Sequence, residues 1–287
     1  MVADAYVALG GLRFHYREWG GKGQAVVLLH GLASTCHIWD LTAPLLQKEF
    51  RVLALDQRGH GRSDKPDDSD YDFATIVGDL KGFCGALDLR RPVVVGHSWG
   101  ASVALQYAAD FPSEAAGLVM VDGGFAEISS RLSWEEAEKL LTPPQLDGVP
   151  LHEFLEKAQT WPGIGDIWSP DVEQIILANF EISPEETIRP RLRRANHMKI
   201  VRALYDQKAS QLYGLVNCPV LAAPARRQPQ NEREESFLNH KINGIKAMQE
   251  RLNHRLKVEW MEDSIHDVPV QMPQRLATAI NAFVAEL

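Results

Sequence analysis

Six short runs rich in aliphatic and β-branched residues recur along the chain: AVVLLH (25–30), RVLALD (51–56), PVVVGH (92–97), GLVMVD (117–122), CPVLAA (218–223) and LKVEWM (256–261). Their unbroken apolar character predicts strands buried on both faces, which is the signature of a parallel sheet covered by helices. Between them, TIVGDLKGFCGAL, ASVALQYAADF, HKINGIKAMQERL and QRLATAINAFVAEL return apolar residues every three or four positions, as helices packed on such a sheet should. Ahead of the first run, AYVAL and LRFHYREWG flank Gly10-Gly11 and read as two antiparallel strands joined by a tight hairpin.

The βα rhythm breaks once. From Asp122 to Cys218 there is no convincing strand, only helical stretches bounded by Pro143-Pro144, Pro162, Pro170 and Pro184. Residues 125–213 are therefore expected to form a helical insertion, leaving 1–124 and 214–287 as one α/β core. The polar stretch RRQPQNEREE (226–235) reads as a solvated loop.

With 287 residues, 45% hydrophobic and 24% charged, the composition is that of a globular protein with a sizeable core. The net charge of −8 repels nucleic-acid phosphates and anionic lipid, so neither is an expected partner. No stretch approaches the roughly 18 apolar residues of a membrane span, and no basic, then apolar leader opens the chain, so the expected location is the cytoplasm. Cys36, Cys84 and Cys218 are odd in number and far apart, which predicts neither a disulfide framework nor a zinc site. No cofactor or metal is expected, and the oligomeric state is left open.

The strongest chemical signal is PVVVGHSWGASVALQYA, a buried strand running through Gly96-His97-Ser98-Trp99-Gly100 into a small-residue helix. This is the setting of a nucleophile elbow, in which flanking glycines permit a cramped turn that aims the serine hydroxyl out of the sheet. Serine needs a base to take its proton and a third group to orient that base. Among ten histidines, His266 is best placed, in the loop EDSIHDVPVQMP between the last strand and the C-terminal helix. His197, His240 and His254 lie in or beside helical stretches and read as solvent-facing. His30-Gly31-Leu32 follows a strand, so the Leu32 N–H, with that of Trp99, is the candidate oxyanion hole. The loop DQRGHGRSD (56–64) is expected to support the scaffold.

Together, HG after a strand, D-x-R-G-x-G-x-S, GHSWG and a late His-Asp loop resemble the α/β-hydrolase fold superfamily over essentially the whole chain. The resemblance implies an α/β fold with a mostly parallel eight-stranded sheet flanked by helices, a helical cap inserted after the sixth strand, and a triad in the order Ser, acid, His. The commonest family pattern places the acid after the seventh strand, yet CPVLAAPARRQPQ contains no Asp or Glu before Glu232. Some members carry it after the sixth strand, where this chain has Asp122. Asp122 is the preferred acid, Glu232, Glu234 and Glu235 are the reserves, and Asp263 and Asp267 lie too near His266 to brace it.

The insertion supplies Trp134, Phe154, Trp161, Trp168, Phe180, Tyr205 and Tyr213, which could roof a pocket; His97, Trp134, Trp161 and Trp168 are the candidate substrate contacts. Dehalogenases and epoxide hydrolases of the superfamily attack with an aspartate, whereas Ser98 suits a carbonyl carbon. The expected function is hydrolysis of a carboxylic ester, lactone or related acyl bond of a small to medium, largely apolar substrate through an acyl-enzyme. The alternative is a ligand-binding or signalling homologue that catalyses slowly or not at all.

Overall fold

In the computed structural model, which describes residues 2–125 and 127–287, the apolar runs assemble into one eight-stranded sheet. Met1, at the start of the expected core, and Ala126, inside the expected insertion, lie outside the described residues. The strands are β1 (Ala3–Leu9), β2 (Leu12–Gly20), β3 (Ala25–Leu29), β4 (Arg51–Leu55), β5 (Val93–His97), β6 (Gly117–Val121), β7 (Val220–Ala223) and β8 (Leu256–Val258). Their spatial order is β1-β2-β4-β3-β5-β6-β7-β8. The β1–β2 hairpin turns at Gly10-Gly11 and β2 runs antiparallel to β4, with Tyr16 opposite Leu55; the remaining pairings are parallel.

The parallel strands are apolar throughout because each sends alternate residues into two cores. On one face Val27, Leu29, Leu53, Val94, Leu118 and Met120 meet α1 (Phe73–Ala86), α2 (Trp99–Asp110) and α7 (Glu232–Leu252). On the other, Val26, Leu28, Val52, Val95, Val119 and Val121 meet α8 (Pro273–Val284) through Leu276, Ile280 and Phe283. Burying each such large side chain stabilises by roughly 1.5–3 kcal/mol, which holds the strand ends rigid enough to carry a site.

Between β6 and β7 the chain forms α3 (Trp134–Leu141), α4 (Leu151–Ala158), α5 (Pro170–Leu177) and α6 (Arg194–Asp206). Contrary to the all-helical expectation, this insertion also contains a three-stranded antiparallel sheet of Val149–Pro150, Phe180–Ile182 and Thr187–Pro190. Strands of two to four residues are too short to register as a periodic pattern. The insertion meets the core through Asn196 Nδ2, which donates to Tyr71 Oη (2.9 Å), Lys199 Nζ, which donates to the Asp67 carbonyl (2.6 Å), and Gln207 Nε2, which donates to the Ser102 carbonyl (3.2 Å).

The expected loop at 226–235 is only partly a loop. Asn231 caps α7 by accepting from the Glu234 N–H (3.0 Å), so the helix begins at Glu232, with three glutamates in its first turn where the helix dipole favours them. The expected run 256–261 is also shorter, and its tail Met261–Glu262 pairs in parallel with Ala225–Arg226. That small ladder carries the chain from β8 toward His266.

Candidate active site

At the end of β5 the backbone turns through Ser98 with φ 53° and ψ −120°, a conformation that costs a non-glycine residue on the order of 1–3 kcal/mol. The turn is tight enough that a Cβ on Gly96 would collide with the Gly100 carbonyl, and one on Gly100 with the carbonyls of Leu29 and His30. These two glycines therefore let α2 start directly against β3 and β5. Ser98 is half-buried. Its N–H donates to the Val121 carbonyl (2.9 Å), so the candidate nucleophile is the cross-strand neighbour of the end of β6.

Asp122 follows at once, with φ 43°. Its side chain is only 2% exposed, and both oxygens are used. Oδ2 accepts from His266 Nδ1 (2.7 Å), while Oδ1 accepts from the Ala225 N–H (2.8 Å) and from Lys241 Nζ (2.6 Å). Burial pushes this carboxyl upward, but the hydrogen bond and charge of His266, with the Lys241 ammonium, outweigh it and hold the pKa at about 2. Asp122 is thus ionised at neutral pH.

The His266 side chain is 51% exposed, so one edge of the ring is reachable from outside. Donation from Nδ1 to the carboxylate leaves Nε2 as the basic nitrogen. Desolvation pulls the imidazole pKa down, but the Asp122 hydrogen bond and charge more than offset it, so the pKa is raised above the ordinary histidine value. The loop is pinned from two sides: the His266 carbonyl accepts from the Val268 N–H (2.9 Å) and from His97 Nε2 (2.9 Å), and the Ile265 N–H donates to Gln271 Oε1 (2.6 Å). His97 is therefore a buried strut for the His266 loop, and burial followed by the nearby His266 charge lowers its pKa to about 4.

Opposite Ser98, Gly31 approaches so closely that a Cβ on it would stand 3.1 Å from Ser98 Cβ and 3.6 Å from Oγ. This puts Leu32 beside the serine. Among the described residues, neither the Leu32 nor the Trp99 N–H donates to a protein acceptor. Neutral histidines hold the loop: His30 Nε2 accepts from the Gln57 N–H (3.0 Å), and His60, stacked on Trp99 at 5.1 Å, accepts from the Ala33 N–H (3.4 Å). Burial lowers the pKa of both rings, keeping them in the accepting form.

His15, Cys36 and Asp56 offer ligand atoms within 4.8 Å of one another, the spacing of a cation site. They do not fit one. Asp56 Oδ1 accepts from the Cys36 N–H (2.7 Å), Oδ2 accepts from the Arg62 N–H (2.9 Å) and His15 Nδ1 (2.7 Å), and His15 Nε2 is held by Asp4 (2.9 Å). Burial and the neighbouring Asp56 carboxylate push the Cys36 thiol well up, away from the thiolate a metal would need. The cluster ties the 56–64 loop to β1 and β2.

Glu232, Glu234 and Glu235 sit on the first turn of α7, where Glu234 is occupied by Asn231, Gln230 and Arg227. Trp134 packs edge-on against Tyr205 (5.3 Å) beneath the Arg202 guanidinium, and Trp161 packs against Phe154 while remaining 37% exposed. Trp168 is partly buried in the insertion-side core. The insertion reaches the His266 loop at Gly163, where a Cβ would collide with Ile265. His197, expected to face solvent, is buried with Nε2 donating to the Leu141 carbonyl (3.0 Å), and His240 is half-buried. Lys241 escaped the sequence reading. Its signal was a charge on the apolar stripe 241, 245, 248, 252 of α7.

Strand order, elbow and Asp-His pair define a protein of the α/β-hydrolase fold. Residues 24–145 match the family model described as alpha/beta hydrolase fold. An N-formylmaleamate deformylase from Pseudomonas putida is 36% identical over 138 residues, 46% of this chain and 52% of that protein. A fluoroacetate dehalogenase from a Burkholderia species is 36% identical over 107 residues, 36% of this chain and 35% of the dehalogenase. The chain thus spans about half or less of the length of the curated relatives it matches. Among solved structures, E-2-(acetamidomethylene)succinate hydrolase superposes with a TM-score of 0.77 at 22% identity, covering 99% of this chain and all of that one, which establishes a shared fold.

Proposed function

We propose that this protein is a serine hydrolase that cleaves a carboxylic ester, lactone or related acyl bond through an acyl-enzyme. The observation that carries this reading is the 2.7 Å bond from His266 Nδ1 to a buried, ionised Asp122, whose preceding residue receives the Ser98 N–H. Asp122 fixes the tautomer, and His266 Nε2 takes the Ser98 proton as Oγ attacks the carbonyl carbon. The Leu32 and Trp99 N–H groups receive the oxyanion, and the imidazolium returns its proton to the leaving group. Water, activated by the same histidine, then releases the acid and restores Ser98.

Serine at the elbow separates this reading from the aspartate chemistry expected of dehalogenases. Similarity to an N-formylmaleamate deformylase supports including an activated N-acyl bond among the substrates. Residues 125–213 act as the lid that selects the acyl group, and the substrate is a small molecule handled in the cytoplasm.

The test is labelling by a fluorophosphonate probe, followed by p-nitrophenyl esters of graded length, lactones and an N-formyl amide. Wild type should label within minutes and Ser98→Ala should not. An unlabelled, folded wild type would leave a ligand-binding homologue as the better account.

A further inference from the structure

Lys241 enters the core from α7, with its side chain 8% exposed. Its neighbours on the buried stripe are Ile245, Met248 and Leu252, so a methionine or leucine would serve packing at this position. Nζ instead donates to Asp122 Oδ1 (2.6 Å) and to the Ala225 carbonyl (2.7 Å), while the Ala225 N–H donates to the same Oδ1 (2.8 Å). The carboxylate is thereby clamped on the oxygen that His266 does not use. We propose that Lys241 is a positioning residue of the site, a buried ammonium that fixes the Asp122 carboxylate and keeps His266 in its neutral, proton-accepting form. This rests on the Ser98–His266–Asp122 reading.

Charge balance gives the reason. With His266 neutral, a carboxylate that is 2% exposed would stand uncompensated, a state that burial penalises heavily. Lys241 cancels that charge and stands in for the imidazolium that would otherwise be drawn to it. Burial opposes the protonated ring of His266, as does the charge of Lys241 on α7, while Asp122 after β6 and Asp267 in its own loop favour it; His97 at the end of β5, whose Nε2 donates to the His266 carbonyl, is neutral, its pKa lowered by burial to about 4. The acids prevail, and Lys241 limits the margin. Its removal raises the His266 titration further, which moves the acid limb of activity to higher pH.

The experiment uses the full chain as wild type, Lys241→Met and Lys241→Gln, with two readouts: NMR titration of the His266 imidazole and the pH dependence of fluorophosphonate labelling at Ser98. Both variants should raise the His266 midpoint by about one pH unit, the scale for two unit charges sharing one carboxylate. Labelling at pH 7 should fall by about three- to tenfold and recover near pH 9. Gln retains a donor without the charge, so a wild-type profile in Lys241→Gln would reduce the role to a hydrogen bond and overturn the proposal. An unshifted midpoint in a folded Met variant would do the same, as would unfolding of both variants, which would assign Lys241 to stability alone. Failure of the triad reading looks different: wild-type Ser98 stays unlabelled, whatever the His266 titration shows.

Discussion

Around Ser98 the main chain sets the geometry: a Cβ on Gly96 or Gly100 would strike backbone, Gly31 all but touches the serine, and Ser98 and Asp122 both hold positive φ. In the insertion, side chains do this work. Trp134 rests on Tyr205, Trp161 on Phe154, and exposed ion pairs such as Arg202–Asp206 decorate the helices. Backbone constraint fixes a position to a fraction of an ångström and tolerates few residue types. Side-chain packing fixes a surface, and many sequences satisfy it. The first suits bond-breaking chemistry, and the second suits a selectivity element that can drift without disabling that chemistry.

The contrast breaks most decisively at Ser98 and His266. Ser98→Ala and His266→Ala should each lower kcat on the order of 10⁶-fold, and the double variant should be little worse. Multiplicative losses in steady-state kinetics would mean that the two do not act as a unit. Asp122→Asn should cost about 10⁴ in kcat with substrate binding retained, because the histidine persists and only its tautomer and charge support are lost. Near-normal turnover there, with a collapse in Glu232→Gln, Glu234→Gln or Glu235→Gln, would relocate the acid to α7.

Gly100→Ala adds a single methyl group where the Leu29 and His30 carbonyls leave no space. It should cost about 1–3 kcal/mol or more of stability, read by denaturant unfolding, against a few tenths at an exposed insertion site. The pH profile refines the same picture. His266 must be neutral to accept the serine proton and its pKa is raised, so activity should climb with pH through a midpoint above 6.5, falling tenfold per unit below it. A flat profile from pH 5 to 8 would remove histidine from the base role. The smallest effect belongs to the insertion: Trp134→Ala should alter labelling of Ser98 by less than about tenfold while changing chain-length preference. A large loss of labelling in a folded variant would erase the distinction between the two regions.

Legibility in the sequence follows the same division. The sheet could be read because its parallel strands are apolar on both faces, and the elbow because only glycine fits at Gly96 and Gly100. Asp122 was readable as a lone acid at a strand end. The short strands at 149–150, 180–182 and 187–190 were not readable, since pairing between segments distant in sequence decides them rather than local pattern. His197 misled because its burial depends on a carbonyl 56 residues away, at Leu141. Lys241 was visible only as a misplaced charge, whose meaning required knowing that α7 brings its Nζ within 2.6 Å of the Asp122 carboxylate.

The bond between Asp122 and His266 joins residues 144 positions apart. A chain leaving the ribosome holds Ser98, Asp122 and the His30-Gly31-Leu32 loop long before it holds His266, and Ala225 and Lys241 arrive between them. Non-local contacts of this kind form late, after the cost of closing the long loop has been met. The Asp122–His266 pair therefore closes only once residue 266 has been made, and its formation doubles as a readout of the last strands having docked: a chain cut between 122 and 266 would hold the carboxylate without its imidazole.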